Sequence, residues 1–371
     1  MDDQQKSTES NPFSKERLSA FWQVISVPLA AVLLALIIGA ILLAVSGANP
    51  IKAYSALIEG SFGSMKAFGR TLAKATPLIF SGLAVAFAFK AGLFNIGAQG
   101  QLLFGALASA AAGFMITGLP PFLHATLSLL IGATAGALFA AIPGALKAYT
   151  GAHEVITTIM LNYVAINITD YIADGPLKDT SNGNIVARTP EVLDSAKIPS
   201  IGEIPLGFFL AVLAAVAVWW LLQRTTLGYE IRTVGLSPHA AKYAGMRVAF
   251  TVILTMVISG FLAGMGGSVE TLGIVGRYQP GFNAGLGFDG ITIALLGKTN
   301  PFGIIPAAIL IGAMKAGAST MQFNAGVAKE ITDVIQALML FFVTADMIVR
   351  KLIHSKAESG ESVTLSGWGQ Q

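Results

Sequence analysis

The sequence predicts an all-α polytopic membrane protein with about ten transmembrane helices, some of them short or broken. Three observations predict it. Apolar residues make up 54% of the 371 residues and charged residues only 12%, about half the charged share of a soluble domain, and mean hydropathy is +0.69. That leaves too little polar surface for a water-facing exterior. Apolar runs of bilayer-spanning length fill most of the chain. Glycine is abundant, with 41 residues, and pairs such as Gly132/Gly136 and Gly260/Gly264 have the spacing that lets helix backbones approach closely in lipid.

The elements follow in order. Residues 1–20 are polar and mixed in charge and form a cytoplasmic amino-terminal segment. The apolar run from Phe21 to Val45 is longer than a secretory signal, so it is expected to be an uncleaved first span. Further spans are expected at 75–90, 92–117, 121–148, 154–173, 205–223, 249–269, 286–298, 301–322 and 330–349, completing a transmembrane domain over 21–350. The second and eighth are short, and the third is interrupted by Asn95, Gly97, Gln99, Gly100 and Gln101. Residues 46–74 and 174–204 are external loops, the first with a surface helix from Ile51 to Glu59 after Asn49-Pro50. Residues 224–248 form a patterned inner loop, and 351–371 a short cytoplasmic tail. Lys and Arg are more numerous in the segments this topology places inside, so both termini are expected in the cytoplasm.

Composition also excludes functions. A net charge of +3 without a basic patch gives no footprint for nucleic acid. With no cysteine, disulfides, thiol nucleophiles and Cys-based metal sites are ruled out. His124, His153, His239 and His354 lack ligand spacing, so no metal site is expected. Gly285 to Gly290 matches G-x-G-x-x-G but lacks a βαβ context, and is expected to be a loop leading into a span. Gly290 to Gly297-Lys298-Thr299 has the wrong glycine spacing for a phosphate-binding loop. If ATP drives this protein, another subunit binds it. No His pair or paired acid site points to an enzyme.

Polar groups inside hydrocarbon are functional candidates by default, with interhelical hydrogen bonding as the structural alternative. Asn95, Gln99 and Gln101 lie among three glycines, which predicts a broken or tightly packed helix. Uncharged amides both donate and accept, and suit a polar neutral solute better than an ion. Asn162, Asn167 and Asp170 are spaced so that parts of one helical face can line a cavity; packing explains them equally well. Glu154 is expected at the inner interface. Lys315, a mid-span cation, is expected to pair with a carboxylate such as Glu270, Asp289 or Asp333. Asp346 and Arg350 have the spacing of an i,i+4 pair.

The most informative stretch is Thr226 to Gly245. Ser237-Pro238 is a helix start, an N-cap followed by proline at the first position, and Gly245 is a stop. A helix of about seven residues is too short to stand alone and must pack on something. Gly228, Ile231, Arg232, Gly235, Ser237, Pro238, Ala240, Ala241, Ala244 and Gly245 together resemble the coupling segment of ABC-importer permeases of the type II, branched-chain amino-acid and simple-sugar class. Gly92-Leu93-Phe94-Asn95-Ile96-Gly97 with Gly100-Gln101 resembles the signature of nucleoside-type permeases in that class. Thr76-Pro77-Leu78 and Glu154 to Tyr163 resemble further blocks. The family usually has Glu where this chain has Gln99, which bears on selectivity.

The resemblance implies a non-catalytic permease subunit of a prokaryotic plasma-membrane importer. It implies a second permease subunit, ATP-binding cassette subunits that use ATP and Mg, and an extracellular solute-binding lipoprotein. The short cytoplasmic coupling helix, with Gly235, Ser237, Pro238, Ala240, Ala241, Tyr243 and Gly245, would sit on the ATPase. Phe94, Asn95, Gln99, Gln101, Asn162 and Asn167 are the expected substrate-pathway residues, for nucleosides or related neutral solutes. A simple sugar is the alternative within the class. An ion-coupled secondary transporter is the competing class, and the sparse mid-span carboxylates argue against it.

Overall fold

A computed structural model describes residues 15–281 and 285–345. Helices α1 (Lys15–Val45), α2 (Pro50–Phe62), α3 (Met65–Lys90), α4 (Ala98–Met115), α5 (Pro121–Thr150) and α6 (Glu154–Asp174) precede a two-stranded antiparallel ribbon, β1 (Ser200–Ile201) with β2 (Ile204–Pro205). Then come α7 (Leu206–Arg224), α8 (Thr226–Leu236), α9 (Pro238–Tyr243), α10 (Val248–Glu270), α11 (Leu286–Leu296), α12 (Pro301–Ala325) and α13 (Ile331–Thr344). Among the described residues, seven helices are long and apolar enough to cross a membrane, and α11 and α13 are shorter apolar helices. The predicted Asp346–Arg350 pair, and the amino-terminal and carboxy-terminal segments except for residues 15–20, lie outside the described residues.

α3 is the centre of the bundle, with 83% of its apolar window buried against 28% for α1. α10 packs on α3, α4 and α5. The glycine pairs predicted from spacing explain how. A Cβ on Gly136 would lie 2.5 Å from the Gly260 carbonyl oxygen, and one on Gly264 2.8 Å from that of Gly132. The pairs face each other, so backbone meets backbone across the α5–α10 crossing. α10 ends in a π-helical turn, Thr271–Val275, closed by Gly276 at φ 75°.

Three expectations are corrected. The second span begins at Met65 and not at 75. Ser64 caps it by accepting from Ala67 N at 3.1 Å, and Ala67, Gly69, Thr71 and Leu72 bury one face while Lys66 and Arg70 break the apolar run. The helix after Asn49-Pro50 forms, capped by Asn49, but it is not a surface helix. It packs into α12, where Ser61 Oγ donates to Ala313 O at 2.6 Å and a Cβ on Gly60 would meet Thr320 at 2.5 Å. The stretch from Gly285 to Gly290 is no loop either, since α11 starts at Leu286.

Residues 174–204 are sewn to the helix ends beside them. Leu193 N donates to Gly113 O at 2.9 Å, Ile198 N to Leu272 O at 3.0 Å and Thr189 N to Tyr278 O at 2.9 Å. Because α7 runs from this loop to the 224–248 segment, the two lie at opposite ends of the bundle.

Candidate functional site: an amide-locked turn beneath two short helices

The third predicted span is broken where the amides fall. Residues 91–97 form a non-helical turn between α3 and α4, with Gly92 at φ 70°. Non-helical backbone at membrane depth must be satisfied by protein, and here side chains do it. Asn95 is fully buried. Its Nδ2 donates to Gln101 Oε1 at 2.9 Å and to Ser259 Oγ at 2.8 Å. Its Oδ1 accepts from Gly97 N at 3.0 Å and Gln101 Nε2 at 3.1 Å. Ser259 on α10 donates in turn to Ala84 O on α3 at 2.6 Å. From α6, Asn162 Oδ1 accepts from Gly100 N at 2.8 Å while its Nδ2 donates to Ile96 O at 2.9 Å. Gln99 Oε1 accepts from Gly287 N in the first turn of α11 at 2.7 Å. The turn is thereby tied to α3, α4, α6 and α10, and α4 to α11.

Four of the six predicted pathway residues, Asn95, Gln99, Gln101 and Asn162, are therefore brought together and buried. Phe94 is half-buried beside them, its ring 4.8 Å from that of Phe89. Asn167 is not in the cluster. It is exposed, and its Nδ2 donates to Tyr163 O at 2.7 Å. Five residues on a helix turn a side chain through about 140°, which takes Asn167 off the face of Asn162. Glu154 is the first residue of α6, at the helix end where it was expected. It is buried, and its Oε2 lies 2.8 Å from Lys147 Nζ across the turn at Gly151. Lys315 pairs as predicted, at 3.0 Å from Asp289 and 3.9 Å from Asp333, whereas Glu270 faces Lys74 at 3.8 Å.

Sequence reasoning missed Ser259, Lys147 and Gln336. Ser259 had a local signal, the i,i+4 hydroxyl stripe Thr251, Thr255 and Ser259 along α10. Lys147 had one, a basic residue in the last turn of a helix followed over a short glycine turn by an acid in the first turn of the next.

Residues 224–248 hold two short helices, α8 and α9. Ser237 Oγ accepts from Ala240 N at 3.2 Å, Pro238 opens α9, and Gly245 at φ 80° ends the turn after it. Ala241 is buried, while Ala240 and Tyr243 face outward, Tyr243 at 94% exposure. α9 is thus held by one small face and leaves the other open. Gly235, at the end of α8, lies directly on the α3–α4 turn. A Cβ there would overlap the Lys90 carbonyl oxygen and come within 3.0 Å of Gly92 N. α8 thus rests on the turn that the amides lock, and α9 packs on α8.

A family described as the permease component of the branched-chain amino acid transport system matches residues 67–344. The chain belongs to this permease family. It is 41% identical to the guanosine ABC transporter permease NupP of Bacillus subtilis, over 90% of this chain and 97% of that one. It is 35% identical to the nucleoside ABC transporter permease NupB of Lactococcus lactis, over 88% and 92%. It is 33% identical to a glucose ABC transporter permease of Haloferax volcanii, over 89% and 90%. The two bacteria each have a second, more distant matching permease, NupQ and NupC. A permease of this family is a transport component, and the fold above is the helical membrane body of one.

Proposed function

We propose that this chain is the membrane subunit of an ATP-driven importer for nucleosides, working by alternating access in a prokaryotic plasma membrane with both termini in the cytoplasm. The observation that carries the reading is α9, a capped six-residue helix whose open face projects from the bundle and which packs on α8, the helix that rests through Gly235 on the locked turn. A helix that short is stable only when packed, and the open face fits a groove on an ATP-binding cassette subunit. Two such subunits would bind ATP and Mg, and their closure would push α8 and α9 against the α3–α4 turn. This chain would perform no catalysis. A second permease subunit, paired as NupP with NupQ and NupB with NupC, and an external solute-binding lipoprotein complete the assembly.

The substrate reading rests on NupP and NupB together with the amide cluster. The glucose permease relative supports a second reading, a simple sugar. Uptake of labelled guanosine and glucose, in a strain lacking other routes, separates the two. Loss of guanosine uptake on deletion of this gene is the expected result; unchanged guanosine uptake with lost glucose uptake reverses the assignment. Transport by the purified chain alone under an ion gradient would overturn the ABC reading.

A further inference from the structure

Charged side chains facing acyl chains are costly, so those at membrane depth face protein or water. α11, α12 and α13 carry four polar side chains on one face. Lys315 lies mid-way along α12, with Nζ 3.0 Å from Asp289 Oδ2 and 3.9 Å from Asp333 Oδ1. Gln336 Nε2 donates to Asp289 Oδ1. Asp333 stands in the first turn of α13 and Asp289 in the first turn of α11.

These groups form a ladder into the bundle. α11 has 11 residues, about 16 Å and half a span. Its start lies inside the bundle, because Gly287 sits against the first residues of α4. The ladder runs from Asp333 through Lys315 to Asp289 and Gln336. From there Gly287 N–H reaches Gln99 Oε1, and Gln99 leads to the amide cluster. The ladder is also open on one side. The side chain of Asp333 is 67% exposed and that of Lys315 26%, and Phe288, beside Asp289 at the start of α11, is 42% exposed.

We propose that this α11–α13 face lines the water-filled solute path, and that Asp289, held by Lys315, contacts the hydroxyl groups of a neutral solute there. Two carboxylates and one ammonium leave a net negative charge. The carboxylates accept from hydroxyls and repel anions, while Phe288 offers a flat apolar surface for a ring. The proposal rests on the permease reading for the existence of a path, and not on which solute uses it.

The chain has no cysteine, so single cysteines report water access directly. In the assembled transporter, Phe288→Cys and Asp333→Cys are expected to react with a membrane-impermeant maleimide. Leu138→Cys, on an exposed stretch of α5, is expected not to. Excess guanosine is expected to slow labelling of Phe288→Cys several-fold. Lys315→Met is expected to raise the KM for guanosine uptake, and Lys315→Arg to restore it.

Phe288→Cys that reacts only with a membrane-permeant maleimide overturns the path assignment, as does equal labelling of Leu138→Cys. Labelling without protection, in a transporter that carries guanosine, overturns the solute contact. If guanosine is not carried at all, the substrate reading fails separately, and labelling by the impermeant reagent still decides the path.

Discussion

The two ends of the bundle are held by different physics. At the α8–α9 end the contacts are buried and short-ranged: Gly235 on the α3–α4 turn, the amide cluster around Asn95, and the Lys147–Glu154 pair. At the opposite end, residues 174–204 are laced by exposed ion pairs. Lys197 reaches Asp194 at 2.7 Å and Glu191 at 3.0 Å, Arg277 reaches Glu191 at 3.2 Å, and Lys178 reaches Asp174 at 2.8 Å. Buried contacts between rigid elements transmit a displacement because packed cores deform little. Exposed ion pairs are screened and individually weak. The first end is therefore stiff, and the second is held by weaker, screened contacts.

The sharpest way to break the first end is Gly235→Val. Even a Cβ overlaps the Lys90 carbonyl oxygen, so α8 must lift from the turn. The expected outcome is loss of solute uptake, with ATP hydrolysis by the assembled complex no longer responding to solute, while the chain still inserts and accumulates. Uptake and ATPase assays on one preparation check it.

Glu154→Gln comes next. Both partners of this pair are nearly inaccessible, at 2% and 10% side-chain exposure, and removing one partner of a buried ion pair costs about 3–5 kcal/mol. The single change is expected to lower the unfolding temperature in detergent markedly. The double change Lys147→Met with Glu154→Met is expected to recover most of the loss, because no charge then remains buried alone. Asn95→Ala is milder. It strands the Gln101 amide and the Gly97 N–H, and an unsatisfied buried group costs about 1–3 kcal/mol. The same thermal measurement ranks it below Glu154→Gln.

Much of this was legible in the sequence, and the rest failed for identifiable reasons. Predominantly apolar runs marked α5, α6, α7, α10 and α12 closely. The first part of α3 was hidden because Lys66, Arg70 and Lys74 interrupt its apolar run, though the opposite face is buried. The packing of α2 was invisible because Gly60 and Thr320 lie far apart in the chain and meet only in the fold. At the site, three amides among glycines announced the broken helix. Their partners did not show, since Ser259 and Gly287 come from α10 and α11. α9 was legible to within two residues because the Ser-Pro start and glycine stop are local chemistry.

The smallest expected effect belongs to the opposite end, and its sign follows from the ion pairs. Hydrogen bonds from the Ser181 hydroxyl and N–H hold the Asp179 carboxyl below the usual carboxylate range, with Arg188 and Arg277 adding to this. Lys197 does the same for Glu191 and Asp194, and is itself held above the usual lysine range by Asp194 and Glu191. A carboxylate whose folded pKa is depressed contributes stability above its unfolded value, about pH 4. That contribution is lost as pH falls through the folded value. Lys197 has the opposite sign, and its contribution is lost only as pH rises through its raised value. Residues 176–199 are therefore expected to keep constant hydrogen-exchange protection at neutral pH, corrected for intrinsic rates, and to lose it below about pH 4. Salt at about 1 M, where charges are screened within roughly 3 Å, is expected to weaken the same protection at neutral pH. The amides of α3 should respond to neither treatment, since that helix is held by apolar burial. Equal losses in the loop and in α3 would mean that the two ends are not held differently.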